Sequence, residues 1–315
     1  MRDAFARELE VIAAQDERVV LLTGDIGNRM FDRFRARFDG RFYNCGVAEA
    51  NMMSVAAGLA LCGLRPVVYT MVPFVTTRCL EQIRVDVCYH RSPVTIVGVG
   101  GGLCYASLGA THHSCEDIGF LRMLPEMSVV CPGDAHEVRA ALRAAVNLST
   151  PVYLRLGKKG EPVVHATPPD LQIGRGLVLR DGKDVGLLST GNMLPAAMEL
   201  AQELSTANIH AGVVSLHTVK PLDEPLLGRL FRECRLVVSL EEHSVLGGLG
   251  GAVAEWLAEQ ANVRARFLRL GTRDEFMHQV GSQSYARQQF GLDGPSLARR
   301  VREAFVCADR GEPLS

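Results

Sequence analysis

The segment CGVAEANMMSVAAGLALCGL, residues 45–64, carries one charge, Glu49, in a run of small and apolar residues, and no basic residue lies within seven positions of it. Residues apolar nearly all the way round a helical period imply burial on every side, and a buried carboxyl is costly unless it has a dedicated partner. Two uses fit Glu49: a carboxylate favoured by the positive end of a helix dipole, or a carboxyl reserved for a ligand. Further on, PVVYTMVPF (66–74) reads as a buried strand delivering Phe74 at its C-terminal end, where open α/β sheets bind ligands. As plain core the same ring needs no ligand. The glycine-bounded loop GLCYASLGATHHSCED (102–117) carries His112 and His113. Adjacent histidines point to different sides and chelate poorly, so a metal site is not expected there.

Three glycine clusters imitate phosphate loops and fail on spacing or context. GVGGG (98–102) is followed by Leu103 where a dinucleotide fingerprint needs glycine, and GKKG (157–160) has no Ser or Thr after its lysine. HSVLGGLGGAVAEWL opens a helix, but glycine there also serves close helix-to-sheet packing.

The elements that must position these residues follow from short apolar runs, each ending in Gly, Pro or Asp and followed by a helical stretch. RVVLLTGD (18–25), PVVYTMVPF, PVTIVGVGG (93–101), SVVCPGD (128–134) and PVYLRLG (151–157) predict parallel strands with crossover helices. KKGEPVVHATPPDLQ (158–172), with three prolines and little periodicity, predicts a linker. A second alternation follows, with strands in VGLLST, IHAGVVSLHT, RLVVSLEE and RARFLRLG. The expected fold class is therefore α/β, two domains with mainly parallel sheets flanked by helices, 1–165 and 173–315.

The 315 residues hold 34 Lys and Arg against 35 Asp and Glu, with no long run of either sign, so nothing recommends nucleic acid or a membrane surface as a partner. No uncharged apolar stretch approaches the roughly 20 residues of a bilayer span, and the charged N-terminus lacks the pattern of an export signal. The nine cysteines form no C-x-x-C pair, and Cys62, Cys88 and Cys131 fall in apolar segments where a thiol packs as a small hydrophobe. A cytoplasmic protein without disulfides or zinc is expected.

Taken together, these segments resemble the second half of transketolase, in the split form made of two chains. GVAEANMMSVAAGLALCG resembles the helix whose glutamate contacts the thiamine pyrimidine, which puts that role on Glu49. PVVYTMVPFVTTRCLEQIR resembles the strand and loop whose aromatic residue stacks on the pyrimidine, mapping to Phe74 with Met71 beside it. GATHHSCEDIGFLRMLPEMSVVCPGD resembles the active-site histidine loop, mapping to His112. SLHTVKPLD and EEHSVLGGLGGAVAE resemble the C-terminal domain shared by transketolases, deoxyxylulose-phosphate synthases and 2-oxoacid dehydrogenase β subunits.

The resemblance implies thiamine diphosphate as cofactor and two-carbon ketol transfer between sugar phosphates. Glu49 and His112 would be catalytic, and Glu49, Phe74 and Met71 would hold the cofactor. In such a role Glu49 must share or hold a proton, and burial away from cations favours that form. Basic residues for a substrate phosphate map to Arg155 and Lys158, with Arg2 a further candidate. The family's magnesium motif, G-D-G followed by Asn, is mimicked by Gly24 and Asp25 with Asn51, but Ile26 replaces the second glycine. Magnesium should therefore come mainly with an N-terminal transketolase subunit, in an α2β2 heterotetramer acting on small sugars. Ordinary transketolases carry an acidic residue where this chain has Leu108 and a histidine where it has Gly100, so donor and acceptor are left open. Two alternatives remain. One is the β subunit of a 2-oxoacid dehydrogenase; the other is a scaffold without catalysis, which would gain by losing a buried carboxyl.

Overall fold

Near-continuous apolar runs become strands covered on both faces, and the computed structural model shows them in order along residues 1–27, 29–261 and 263–310. They are β1 (Val19–Thr23), β2 (Phe42–Asn44), β3 (Arg65–Met71), β4 (Thr95–Val99), β5 (Ser128–Val130), β6 (Val152–Leu156), β7 (Leu177–Arg180), β8 (Val185–Ser189), β9 (Ala211–Ser215), β10 (Thr218–Lys220), β11 (Leu236–Ser244) and β12 (Arg266–Thr272). The first sheet runs β10-β5-β6-β4-β3-β1-β2 and the second β12-β11-β8-β9-β7. All pairings are parallel except β10 on β5 and β7 on β9.

Every residue of β1, β4, β6, β8 and β9 is buried, as parallel strands with helices on both faces require. In β1 the pleat sends Val19 and Leu21 to one face, with Phe5 and Leu9 of helix Arg2–Gln15 and Val138 and Leu142 of helix Ala135–Asn147. Val20 and Leu22 go to the other face, with Met52, Met53 and Ala56 of helix Glu49–Leu61. Each such side chain contributes about 1.5–3 kcal/mol by leaving water.

Because β1 to β6 are parallel, their C-terminal ends share one edge of the sheet. Glu49 follows β2, Phe74 follows β3, the histidine loop follows β4 and Lys158 follows β6. Helix Arg2–Gln15 precedes β1, so it runs back along the sheet and starts at the same edge.

Four details depart from the sequence reading. Phe74 lies beyond the strand, in a helical turn at Val72–Val75, because Pro73 has no N–H for the ladder and its fixed φ suits a first helical turn. Helix Glu49–Leu61 is not covered all round: Asn51, Val55 (41% exposed), Gly58 and Leu61 (65%) face outward from the chain. Cys62, at the end of that helix, is exposed, while Cys88 and Cys131 are buried. Finally, β10, from the stretch SLHTVK, crosses to the first sheet and pairs antiparallel with β5, Thr218 opposite Val130. It does not stand out in the sequence, nor do β2 and β7, because each has only three or four residues.

Residues 158–172 hold no strand or helix, but they are fastened down. Val164 and His165 donate backbone N–H groups to Asp134 Oδ2 at 2.9 and 2.8 Å. The other oxygen of Asp134 caps helix Ala135–Asn147, accepting from His136 and Glu137.

Candidate active site

At the shared edge, Glu49 is the first residue of its helix and only 2% exposed. Gly24, just past β1, makes its space: a Cβ there would lie 3.1 Å from Glu49 Cγ. Glu49 does have a cation, contrary to the local sequence. Arg78, 29 positions on, donates from Nη1 to Glu49 Oε2 at 2.7 Å. The same guanidinium lies 4.2 Å from the centre of the Phe74 ring, within cation–π range. This contact corrects the expectation of a carboxyl free of cations. The seven-residue window could not see a partner brought in by the next strand.

His112 completes the group, its ring 5.4 Å from Phe74 and edge-on to it. Its Nδ1 is 2.9 Å from the Thr111 hydroxyl, which leaves Nε2 as the free edge. On the far side, Tyr105 lies 6.4 Å from His112, and Lys158 Nζ sits 4.7 Å from the Tyr105 ring centre. Burial raises the Tyr105 phenol, and the nearby charge of Arg2 acts against that rise. Lys158 therefore lies against Tyr105, next to the histidine, and the charge of Arg2 reaches the same phenol. Arg2 Nε is buried without a hydrogen-bond partner, and its nearest carboxylate, Asp3, is 3.8 Å away. Met71 ends β3 and packs half-buried against the core on the helix Arg2–Gln15 side.

Arg155 does not join them. It is 4% exposed and spends its donors inside the protein. Nε gives to Asp117 Oδ2 at 2.8 Å, and Nη2 to Asp117 Oδ1, Ser114 O and Glu242 O at 3.1, 2.7 and 3.0 Å. Tyr153 adds a hydrogen bond to Asp117 Oδ2 at 2.6 Å. Burial alone would raise the Asp117 carboxyl, but Arg155 overrides it and holds the group below its usual range. The assignment of Arg155 to a substrate phosphate is thus corrected. Its side chain leaves β6 inward, towards the second sheet, while Lys158 lies past the strand end.

What Arg155 does is brace the histidine loop. That loop is pinched shut where Gly102 and Ser114 exchange backbone hydrogen bonds, each 2.9 Å. Glu242 of β11 accepts from Leu103 N at 3.0 Å, Asn192 Nδ2 at 2.9 Å and Arg287 Nε at 2.5 Å. Burial would raise Glu242, and Arg287 with these donors brings it below the usual carboxylate range. The glycines 100–102 serve this packing. A Cβ at Gly100 would fall 2.0 Å from Tyr105, at Gly101 2.7 Å from Arg155 and at Gly102 2.5 Å from Glu242 O. His113 points away from His112, into a hollow with Leu103, Cys115 and Met277.

The magnesium look-alike has other business. Asp25 exchanges hydrogen bonds with Asn44, at 3.1 and 3.0 Å, and Asn51 lies on the outward face of its helix. Among the described residues no group of three or more His, Cys, Asp or Glu could hold a metal ion, and no helix is long and apolar enough to cross a membrane. The glycine-rich helix start at Leu249 is occupied internally, Glu241 accepting from Leu249 N and Gly250 N at 2.7 Å each.

The residues that sequence reasoning missed are Arg78, Tyr105 and Gly24. Arg78 left one trace, its position four residues after Phe74, the spacing that stacks side chains on a helical turn. Tyr105 left none without the fold.

Comparison with known proteins bears on the two domains that carry this arrangement. Residues 1–161 match the family model "Transketolase, pyrimidine binding domain" and residues 174–296 match "Transketolase, C-terminal domain". The chain is 34% identical to a putative transketolase C-terminal section of Methanocaldococcus jannaschii, covering 96% of this chain and 95% of that one. It is 36% identical to a 6-deoxy-6-sulfo-D-fructose transketolase subunit of Clostridium sp. (strain MSTE9), covering 96% and 94%. A solved structure described as a split gene transketolase, inactive β4 tetramer, superposes with a TM-score of 0.89 at 35% identity, over 97% of this chain and 98% of the other. This chain belongs to the transketolase family and carries its pyrimidine-binding and C-terminal domains.

Proposed function

We propose that this chain holds the aminopyrimidine end of thiamine diphosphate and, joined to an N-terminal transketolase subunit bearing the magnesium and diphosphate end, transfers a two-carbon ketol unit from a ketose to an aldose. The observation that carries the reading is the convergence of Glu49, Phe74 and His112 at one sheet edge, linked through Arg78 at 2.7 Å and 4.2 Å and through the 5.4 Å ring contact. The fit is supported by Arg78 itself, since its flat, nitrogen-edged guanidinium lies on Phe74 while bonding Glu49. A flat nitrogen heterocycle has the same two needs.

When bound, the cofactor supplies an electron sink for the carbon left after C–C cleavage. The chain's residues do the rest of their part by position. Glu49 holds a hydrogen bond to a ring nitrogen and, 2% exposed, keeps it from water. Phe74 stacks on the ring, with about 0.5–1.5 kcal/mol beyond area burial. His112 presents Nε2 to the reacting carbonyl side as donor or proton carrier. Lys158, against the Tyr105 ring that neighbours His112, and Arg2, whose charge reaches the same phenol, are the candidates for the anionic end of a sugar. A phosphate or a sulfonate fits such a pair, and the sulfofructose relative is in keeping with either.

Two working units, 1–165 and 173–315, follow from this reading, the second bracing the histidine loop through Glu242. The need for a partner is supported by exposed apolar side chains before Glu49 and along the outward side of its helix, Val47 (74% exposed), Val55 and Leu61. In the assembled two-chain enzyme, Glu49→Gln should lower turnover by about 10²–10⁴ while the assembly keeps its mass in light scattering. Near-normal turnover of ketose donors with aldose acceptors refutes the proposal.

A further inference from the structure

Arg78 reaches Glu49 from a segment of broken helical turns. Val72–Val75 is one turn of helix, Thr77–Cys79 a 3₁₀ turn, Leu80–Gln82 another helical turn and Ile83–Tyr89 a wider π-type turn. Such interruptions of regular helix recur at functional positions. The segment is tied at its base, where Thr76 Oγ1 donates to Val72 O at 2.7 Å and Cys79 Sγ lies 3.1 Å from Phe74 O. The side chain of Arg78 is the loose part: it is 44% exposed, against 2% for the carboxylate it bonds. A path to solvent is therefore open to the guanidinium and closed to the carboxylate.

The guanidinium occupies the two positions that the proposed function assigns to the cofactor's pyrimidine ring, one over the Phe74 ring and one in hydrogen-bond contact with Glu49. A ring that takes the same face of Phe74 and the same oxygen of Glu49 displaces Arg78 from both. We propose that Arg78 is a placeholder: in the chain without cofactor it fills the pyrimidine slot and neutralises Glu49, and it swings to solvent when the cofactor ring enters. The inference rests on the reading of Glu49 and Phe74 as pyrimidine contacts. It explains why a carboxyl so deeply buried can wait for a ligand: an unpaired buried charge is costly, and Arg78 removes that cost until the ring takes over. It also adds a competitor to cofactor entry, since the arginine contacts must be given up first.

The test is calorimetric titration of thiamine diphosphate with magnesium into this chain co-assembled with its N-terminal subunit, as wild type, Arg78→Ala and Arg78→Lys. Removing the competitor should lower Kd about tenfold in Arg78→Ala, equivalent to about 1.4 kcal/mol, and raise the association rate in stopped flow. Arg78→Lys should fall between, because an ammonium can meet Glu49 but lacks the planar fork that stacks. A Kd unchanged or weakened in Arg78→Ala, with wild type binding normally, overturns the placeholder and leaves the proposed function standing. If neither wild type nor Arg78→Ala binds, and Glu49→Gln changes nothing, the functional reading falls and the placeholder with it.

Discussion

Arg155→Met tests the claim that this arginine braces the histidine loop instead of meeting substrate. Methionine keeps the apolar stem and deletes the guanidinium, so Asp117 is left 1% exposed with only the Tyr153 hydroxyl at 2.6 Å. Glu242 O also loses the Arg155 donor, and Ser114 O keeps only the Gly102 N–H. Removing one member of a buried ion pair costs about 3–5 kcal/mol, and with side chains 3% and 1% exposed no solvent screening reduces it. At about 2–4 °C per kcal/mol for a large domain, the melting temperature should fall by about 6–20 °C.

The double variant Arg155→Met with Asp117→Asn should recover part of that loss, because no orphan charge remains. The sign of the pH dependence follows from Asp117. In the wild type its carboxyl is depressed by Arg155, so its contribution is present above the unfolded pKa, about 3.9, and is lost as pH falls through the folded value. In Arg155→Met burial favours the protonated form, so the gap between variant and wild type should narrow towards pH 4. Thermal unfolding followed by circular dichroism at pH 4.5 and 7.5 measures both. A fall below about 2 °C, with KM raised for a phosphorylated substrate, would refute the bracing argument and return Arg155 to the substrate.

Two further outcomes are expected. Burial pushes the His243 imidazole down to about 4, against the raising influence of Asp117. Its Nδ1 gives to Ser244 O at 2.8 Å and Nε2 accepts from Gly119 N at 3.3 Å. A proton on Nε2 would break the second bond, so stability is present above the unfolded pKa of about 6.5 and lost as pH falls from there to about 4, by about 3 kcal/mol. Urea midpoints between pH 7 and 4.5 check this, and His243→Gln should flatten the slope. Gly102→Ala adds a Cβ 2.5 Å from Glu242 O at φ +68°. It should open the Gly102–Ser114 pinch and speed amide exchange of residues 103–113, and unchanged exchange would show that the pinch does not hold the loop.

Much of the fold was legible because buried parallel strands write themselves as unbroken apolar runs. The places of Phe74 and His112 were legible too, since each follows such a run, whereas Glu49 follows the short β2. What could not be read were contacts that depend on which way a side chain leaves its strand. Arg155 and Lys158 are three residues apart, yet the first is sealed between the sheets and the second lies beside Tyr105. Similarly, Glu49 has no cation nearby in sequence, and β3 with its following turns supplies one from position 78.

The same geometry explains how a site can be built on one chain and still await another. Every proposed contact in this chain stands on one edge of the first sheet, and the second sheet holds the histidine loop closed from behind through Glu242 and Arg155. The outward side of helix Glu49–Leu61 exposes Val55 and Leu61 alongside Asn51. Glu49 itself is 2% exposed, and part of its cover is the guanidinium of Arg78. With Arg78 half in solvent, the site becomes dry when a second surface closes over it, so partner binding and cofactor binding should reinforce each other. Thiamine diphosphate with magnesium should tighten the association of the two subunits in analytical ultracentrifugation, whereas an association constant indifferent to the cofactor would contradict a slot completed by the partner.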